Sequence, residues 1–278
     1  MKFARSGQHS VIPGFRLTMG FTVLYLSLLV LIPLSTLVLC AGRLSWEELW
    51  HTFSASRTLA AYRLSLGGAL IAAGGNAIFG LLIAWVLVRY RFPGRRVLDA
   101  LVDLPFALPT AVAGISLTAI YAPTGVIGGW LAGAGIQAAY SPLGIIIAMA
   151  FVSLPFVIRT AQPVLQDIDR EVEEAAATLG ADRLQVFARV IFPTVFPAVL
   201  AGFAMAFARA VGEYGSVVFI SGNMPGRTEI VPLLIMTRLE EYNYAGAKAV
   251  ALALLVLSFL MLLVINLLQA WARRSAPV

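Results

Sequence analysis

The feature that most constrains this chain is a series of long apolar stretches without a charged residue. The first, Leu17 to Gly42, has 26 residues, and the second, Leu64 to Val88, has 25. A helix that crosses the hydrocarbon core of a bilayer needs about 20 mostly apolar residues. The chain is 60% hydrophobic and 12% charged, whereas a soluble domain has roughly 45–50% apolar and 25% charged residues. We therefore predict an all-α, polytopic membrane protein.

We predict six membrane spans. The uncharged stretch Leu104 to Ile158 is too long for one helix, and a Gly/Pro-rich segment divides it into spans near 101–121 and 143–163. Two more spans are predicted from about Val195 to Ile220 and from Val250 to Trp271. The first apolar stretch is longer than a signal-peptide core of roughly 7–15 residues, so we expect it to be retained as a span.

Arginine and lysine residues predict the orientation, because short cytoplasmic loops carry an excess of them. The N-terminal arm, the loop 89–96, the loop 159–193 and the C-terminal tail together hold 13, and the alternate loops hold 6. Both termini are therefore predicted to lie in the cytoplasm.

The sequence lacks the motifs of several enzyme classes. Neither lysine, Lys2 or Lys248, lies in a Gly-rich phosphate-binding loop, so ATP would have to be hydrolysed by another chain. Nucleophile-elbow, zinc-protease and dinucleotide-binding motifs are also absent. One cysteine, Cys40, and two histidines, His9 and His51, are too few for a zinc, haem or iron–sulfur site. We predict no catalytic and no metal-binding residues.

A polar segment between the fourth and fifth predicted spans, residues 164–193, has the pattern of two short amphipathic helices. The first is predicted to start at Asp167 and Asp169, because acidic side chains are favoured at a helix N-terminus. Gly180 is predicted to end it, since glycine is the usual C′ residue. Its apolar residues recur at the spacing of one helical face: Val172, Ala175, Ala176 and Leu179.

The second helix is predicted to start at Asp182, which has capping-box spacing with Gln185, and to stop at Pro193. Two such helices cannot bury their apolar faces alone, so they must pack on the rest of the protein, on lipid headgroups or on a partner. Six acidic residues in the segment disfavour anionic headgroups. A docking element for a partner protein is therefore the favoured interpretation.

The segment also resembles a known signature. Glu174-Ala175-Ala176, Gly180 and Val190-Ile191-Phe192-Pro193 resemble the EAA signature of binding-protein-dependent ABC importer permeases, which reads Glu-Ala-Ala, three residues, Gly, nine residues, Ile-x-Leu-Pro. Every spacing is kept. The resemblance covers about residues 60–268, and stretches such as RAVGEYGSVVFISGN are similar to the sulfate/thiosulfate permease that pairs with a second, non-identical permease. A permease for molybdate or another oxyanion is the near alternative.

The resemblance implies a type I ABC importer transmembrane fold in the bacterial inner membrane. The implied partners are a second permease, two ATP-binding subunits and a periplasmic binding protein, with ATP and Mg on the ATPase and no cofactor on this chain. The implied ATPase-coupling residues are Glu174, Ala175, Ala176, Gly180 and Pro193. The implied divisions are an N-terminal arm, first helix and first periplasmic loop (1–59), the ABC transmembrane domain (60–268) and a cytoplasmic tail (269–278).

Charged residues and prolines within the spans are further candidates. Arg209 and Glu213 are four residues apart in the fifth predicted span and are expected to pair, because an isolated charge at the bilayer centre costs about 2.5–3.5 kcal/mol. Arg209 could attract a permeating anion, but a structural pair is the favoured interpretation because Glu213 offsets its charge. Pro105 and Pro109 predict breaks in the third span, which either line a water-filled path or kink a packing helix.

Two other regions carry expectations that depend on packing. Asn76 is predicted to bond across helices, and Arg159 to anchor the inner end of the fourth span. The loop 221–248 is compatible with a short helix around Ile230 to Met236. An ion-driven secondary transporter is the competing functional class, but the spans lack a titratable relay beyond Arg209 and Glu213.

Overall fold

The computed structural model describes residues 15–42 and 45–275, and within these ranges every regular element is a helix. Five helical stretches among these residues are long and apolar enough to cross a membrane: Leu17–Leu39, Ser56–Arg89, Pro142–Asp167, Arg183–Val211 and Tyr244–Ala270. A bent pair, Thr110–Tyr121 and Val126–Gly133, makes a sixth candidate with an angle of 44° between its halves. The predicted count of six spans is reached when this pair is taken as one span.

The helices in chain order are α1 (Phe15–Leu26), α2 (Ile32–Ala41), α3 (Trp46–Ser54), α4 (Ser56–Arg89), α5 (Arg95–Val102), α6 (Leu104–Ala107), α7 (Thr110–Tyr121), α8 (Val126–Gly133), α9 (Pro142–Asp167), α10 (Arg170–Thr178), α11 (Arg183–Val186), α12 (Phe192–Val211), α13 (Val217–Ile220), α14 (Val231–Glu240) and α15 (Tyr244–Ser275). Two π-helical segments, Ser27–Leu31 and Phe187–Ile191, join α1 to α2 and α11 to α12.

Helices α4, α9 and α12 form the centre of the molecule. Small residues bring them together, since a Cβ added at Gly80 of α4 would lie 3.0 Å from Val157 of α9. The amide nitrogen of Asn76 donates to the Ala150 carbonyl and the Ser153 hydroxyl, each at 2.9 Å. The predicted interhelical bond of Asn76 is confirmed, and it fixes α4 against α9.

The third predicted span, 101–121, is divided into short helices, and the breaks predicted at Pro105 and Pro109 are confirmed. Helix α5 ends at Val102, Pro105 lies in the first turn of the short α6, and α7 starts only after Pro109. A proline removes one backbone donor and its ring clashes with the preceding turn, so two prolines four residues apart divide the segment. The candidate span in this region is the bent pair of α7 and α8.

The fifth predicted span, Val195 to Ile220, is wrong at both ends, because continuous helix runs from Arg183 to Val211. The predicted helix stop at Pro193 is also wrong. Pro193 lies in the first turn of α12, directly after a π-helical segment that already has a shifted hydrogen-bond pattern, so the helix continues through it.

The first span makes few contacts with the other described helices. Its most apolar window contains no buried residue among those described, and α2 packs along α15. Its apolar surface therefore remains available to lipid or to another subunit.

Candidate functional site

The turn between α10 and α11 is fixed by a glycine with a left-handed backbone. Gly180 has φ +88°, and its N–H donates to the Ala177 carbonyl at 3.0 Å. The next N–H, of Ala181, donates to the Ala176 carbonyl at 3.1 Å. This pair of bonds is a Schellman motif, and it confirms the predicted C′ position of Gly180.

The second helix begins as its spacing predicted. Gln185 N–H donates to the Asp182 carboxylate at 2.7 Å, and the Gln185 side-chain oxygen accepts from the Asp182 N–H at 3.1 Å. The first helix begins differently, because only Asp169 is its N-cap residue. Asp167 instead ends α9, whose buried face extends to Leu165, so the predicted start at Asp167 is wrong.

The two predicted apolar faces are not buried as whole surfaces. Ala176 packs against the core, but Leu179 is 89% exposed and Leu184 is 75% exposed. Glu174 and Ala175 are also exposed. The turn thus exposes two leucines and an acidic helix face, on a backbone fixed by the caps described above.

The last helical turn of α4 contacts the helices on both sides of the Gly180 turn. Arg89 forms an ion pair with Glu173 of α10, and both side chains are less than a third exposed. The Arg89 guanidinium lies 5.6 Å from the ring centre of Trp85, one turn earlier. Trp85 in turn meets Phe187, just after α11, edge to face at 5.6 Å. The sequence does not distinguish these residues, since an aromatic and an arginine at the end of a span are typical of any membrane interface.

The opposite end of α4 is also held by an ion pair. Arg57 donates two parallel bonds to the carboxylate of Glu229, at 2.8 and 2.7 Å, and Glu229 is almost fully buried. Glu229 precedes α14, the short helix that the sequence allowed for around Ile230 to Met236. Helix α4 is therefore attached to other elements at both of its tips.

Arg209 and Glu213 pair at 2.5 Å, although they do not share one continuous helix. Arg209 lies in the last turn of α12, and Glu213 follows the helix end. The second carboxylate oxygen of Glu213 accepts bonds from the N–H of Ser216 at 2.8 Å and its hydroxyl at 2.9 Å. Glu213 is 1% exposed, and its carboxylate provides a partner for the Ser216 N–H at this helix break.

The break after α12 lies directly against the start of α7. A Cβ added at Gly215 would come within 2.1 Å of the Thr110 hydroxyl oxygen, and one at Gly114 within 2.4 Å of the Ser216 carbonyl oxygen. The helix break at Pro109 therefore lies in contact with the helix break at Gly215.

Arg159 links α9 to the broken third span. Its guanidinium donates two bonds to the Asp103 carboxylate, at 2.8 and 2.6 Å, one to the Asp99 carboxylate at 2.7 Å and one to the Asp99 carbonyl at 2.8 Å. Hydrogen bonds from Gln162 and Arg159 lower the pKa of Asp99 below its usual range. Arg159 therefore forms ion pairs with two carboxylates and holds α9 against the segment that contains Asp99 and Asp103.

No group of three or more metal-binding side chains occurs within residues 15–42 and 45–275.

Comparisons with known proteins agree with this picture. Residues 76–276 match the family model described as binding-protein-dependent transport system inner membrane component. The chain is 49% identical over 260 residues to the sulfate transport system permease protein CysT of Escherichia coli (strain K12), which covers 94% of each chain. It is 51% identical over 255 residues to the probable sulfate transport system permease protein cysT of Nephroselmis olivacea, which covers 92% of this chain and 90% of the relative.

Solved structures show the same fold at low identity. One belongs to a bacterial ABC transporter involved in the import of the acidic polysaccharide alginate, with a TM-score of 0.75, 15% identity and coverage of 95% and 97% of the two chains. An inward-facing MetNI methionine ABC transporter matches with a TM-score of 0.56, 17% identity and coverage of 84% and 100%.

Proposed function

We propose that this chain is the membrane-spanning subunit of an ATP-driven importer for sulfate and thiosulfate. The chain belongs to the family of binding-protein-dependent transport system inner membrane components. The observation that carries the substrate proposal is the 49% identity to a sulfate permease over 94% of both chains. The chain itself is the non-catalytic permease, with ATP and Mg bound by separate ATPase subunits.

The turn around Gly180 is the proposed ATPase-docking surface. Glu174, Ala175 and Ala176 lie on the helix before it, and Leu179 and Leu184 project from it into solvent. An ATPase groove that covers both leucines would remove them from water, which stabilises a complex by about 1.5–3 kcal/mol for each fully buried side chain. Pro193 contributes from a distance, by starting α12 after the π-helical segment.

The proposed complex contains a second, non-identical permease, two ATP-binding subunits and a periplasmic binding protein in the bacterial inner membrane. Both termini and the docking turn face the cytoplasm, as the excess of arginine and lysine on that side favours. Residues 60–268 form the proposed ABC transmembrane domain, between an N-terminal region (1–59) and a C-terminal tail (269–278).

Arg209 and Glu213 have a structural role in this proposal. One carboxylate oxygen of Glu213 is bound to Arg209 and the other to Ser216, so the pair closes a helix break and presents little net charge to an anion. The breaks at Pro105 and Pro109 position the start of α7 against this pair and do not themselves bind substrate.

The test uses the complete complex in proteoliposomes. Binding protein loaded with sulfate should accelerate ATP hydrolysis and drive uptake of labelled sulfate, with thiosulfate as a competitor. If molybdate competed more strongly than thiosulfate, the oxyanion assignment would change. Uptake by this chain alone, driven by an ion gradient without ATP, would overturn the importer assignment in favour of a secondary transporter.

A further inference from the structure

Helix α3 is a short amphipathic helix that begins close to the end of the first span. Its start is fixed by a capping box, in which Glu48 N–H donates to the Ser45 hydroxyl at 3.2 Å and Ser45 N–H donates to the Glu48 carboxylate at 2.9 Å. Helix α2, the second half of the first span, ends at Ala41, and α3 begins at Trp46, so α3 follows the span closely.

The apolar residues of α3 share one face: Trp46, Leu49, Trp50 and Phe53. Leu49 and Phe53 are half-buried, and Phe53 packs against a core cluster that α4, α14 and α15 build. The tryptophans continue this face outward, with Trp46 78% exposed and Trp50 64% exposed. Two large aromatic side chains are therefore directed away from the protein on a helix that the protein holds in place.

The polar residues of α3 lie on the other side. Glu47, Glu48, His51 and Thr52 line an open cavity of about 580 Å³ together with Arg238 and Asn243, near the start of α15. The acidic side chains therefore face a polar space that also contains an arginine, and they do not share the surface of the tryptophans.

The position of α3 along the membrane normal follows from α4. Ser56, which starts α4, adjoins α3, whereas Arg89, which ends it, contacts Glu173 in residues 164–193, called the docking segment below. At 1.5 Å per residue, the 34 residues of α4 span about 51 Å, which exceeds the hydrocarbon thickness of about 30 Å. Helix α3 therefore lies at the membrane surface opposite the docking segment. Tyr242 and Tyr244, at the start of α15, are also exposed there.

We propose that α3 is an interfacial anchor, with Trp46 and Trp50 inserted among the phospholipid headgroups of the leaflet opposite the docking segment. Indole rings favour this depth because their apolar body and their N–H group are both accommodated there. The surface is continuous with the first span, whose apolar window has no buried residue among those described. Because Glu47 and Glu48 face away from the tryptophans, the anchor needs no anionic lipid and fits a zwitterionic headgroup layer.

The test measures tryptophan fluorescence of the complete transporter in nanodiscs, for the wild type and the double variant W46F/W50F. The difference between the two isolates the emission of Trp46 and Trp50. We expect phosphatidylcholine brominated close to the headgroup to quench this difference about twofold, and lipid brominated near the chain end to quench it less. Adding phosphatidylglycerol should not change the result.

Phenylalanine keeps an apolar ring at each position, and unchanged size-exclusion elution would show that the double variant assembles. Strong quenching of the difference by acrylamide, with none by brominated lipid, would place the two tryptophans in water and overturn the proposal. Resistance to both quenchers would place them under another protein subunit and overturn it equally. Neither result depends on the transported anion or on ATPase docking.

Discussion

Arg89, the last residue of α4, forms an ion pair with Glu173, the residue immediately before the Glu174-Ala175-Ala176 segment. The pair joins the central helix of the membrane domain to the proposed ATPase-docking surface. We therefore expect a movement of α10 to be passed to α4.

Reversing either charge of this pair should uncouple transport from ATP hydrolysis. Arg89→Glu and Glu173→Arg each place like charges together in a partly buried contact. We expect this to weaken the interaction between α4 and α10 by about 1–3 kcal/mol. The measurement is the ratio of labelled sulfate taken up to ATP hydrolysed, together with the stimulation of ATPase activity by binding protein. The double variant R89E/E173R should recover most of both quantities.

The matched control for that prediction is Glu171→Arg, an equal charge change on an exposed residue of the same helix. It should leave the ratio near the wild-type value. Equal defects in E171R and E173R, or no recovery in the double variant, would mean that the change in net charge lowers the ratio and that the Arg89–Glu173 pair does not determine it.

Replacing Gly180 should distort the docking turn. At φ +88° a side chain costs about 1–2 kcal/mol, and asparagine tolerates this region better than alanine. We expect Gly180→Ala to weaken copurification of the ATPase and Gly180→Asn to weaken it less, with normal membrane insertion of both. Gly212→Ala is the control, because Gly212 has φ −86° and an added Cβ would make only ordinary contact.

Shortening the exposed leucines should weaken docking without destabilising the chain. Leu184→Ala and Leu179→Ala remove side chains that are 75% and 89% exposed, so the unfolding temperature of the isolated permease should stay the same. If the ATPase buries them, each change should weaken association by about tenfold, since 1.4 kcal/mol corresponds to a factor of ten. Val126→Ala, at an equally exposed position on α8, is the control. Unchanged ATPase affinity in both leucine variants would remove this surface from the interface.

Adding a methyl group where the two helix breaks meet should destabilise the fold. In Gly114→Ala the new Cβ would lie 2.4 Å from a backbone carbonyl oxygen, and such overpacking costs about 1–3 kcal/mol. The unfolding temperature in detergent should fall accordingly. Gly74→Ala is the control: nothing lies within 4 Å of its Cβ position in α4, and alanine is the better helix former, so stability should be equal or higher.

The contacts of Asp99 predict a pH dependence of stability. Because Gln162 and Arg159 lower its pKa in the folded state, the carboxylate contributes stability that is present above the unfolded pKa of about 3.9 and is lost as the pH falls through the folded value. The difference in unfolding temperature between wild type and Asp99→Asn should therefore be seen at pH 7 and shrink below about pH 4. A difference that stayed constant down to pH 3 would mean that the carboxylate charge is not its source.

Local sequence signals predicted much of the docking segment. The C′ role of Gly180 and the capping box of Asp182 and Gln185 depend on neighbours within a few positions, so spacing alone defines them. The prediction that Pro193 ends a helix was wrong, because a proline ends a helix only where its N–H would have to bond to the preceding turn. In this chain it falls in a first turn after a π-helical segment, which hydropathy does not reveal.

Ion pairs between residues far apart in the chain could not be predicted from the sequence. Arg89 and Glu173 are 84 positions apart, and every arginine in the chain had several carboxylates as possible partners. The end of α12 was equally hidden, because residues 195–220 have the same hydropathy whether or not the helix is continuous. The burial of Glu213 and its bonds to Ser216 decide that question, and both depend on the packing of α7.

The attachment of α4 at both tips has a consequence for the two sides of the membrane. Arg57 is fastened to Glu229 at one membrane surface and Arg89 to Glu173 at the other. Because α4 is one continuous helix between these two contacts, we expect a displacement at one end to shift the other end without local unfolding. Events in the two aqueous compartments would then be linked through the position of a single helix.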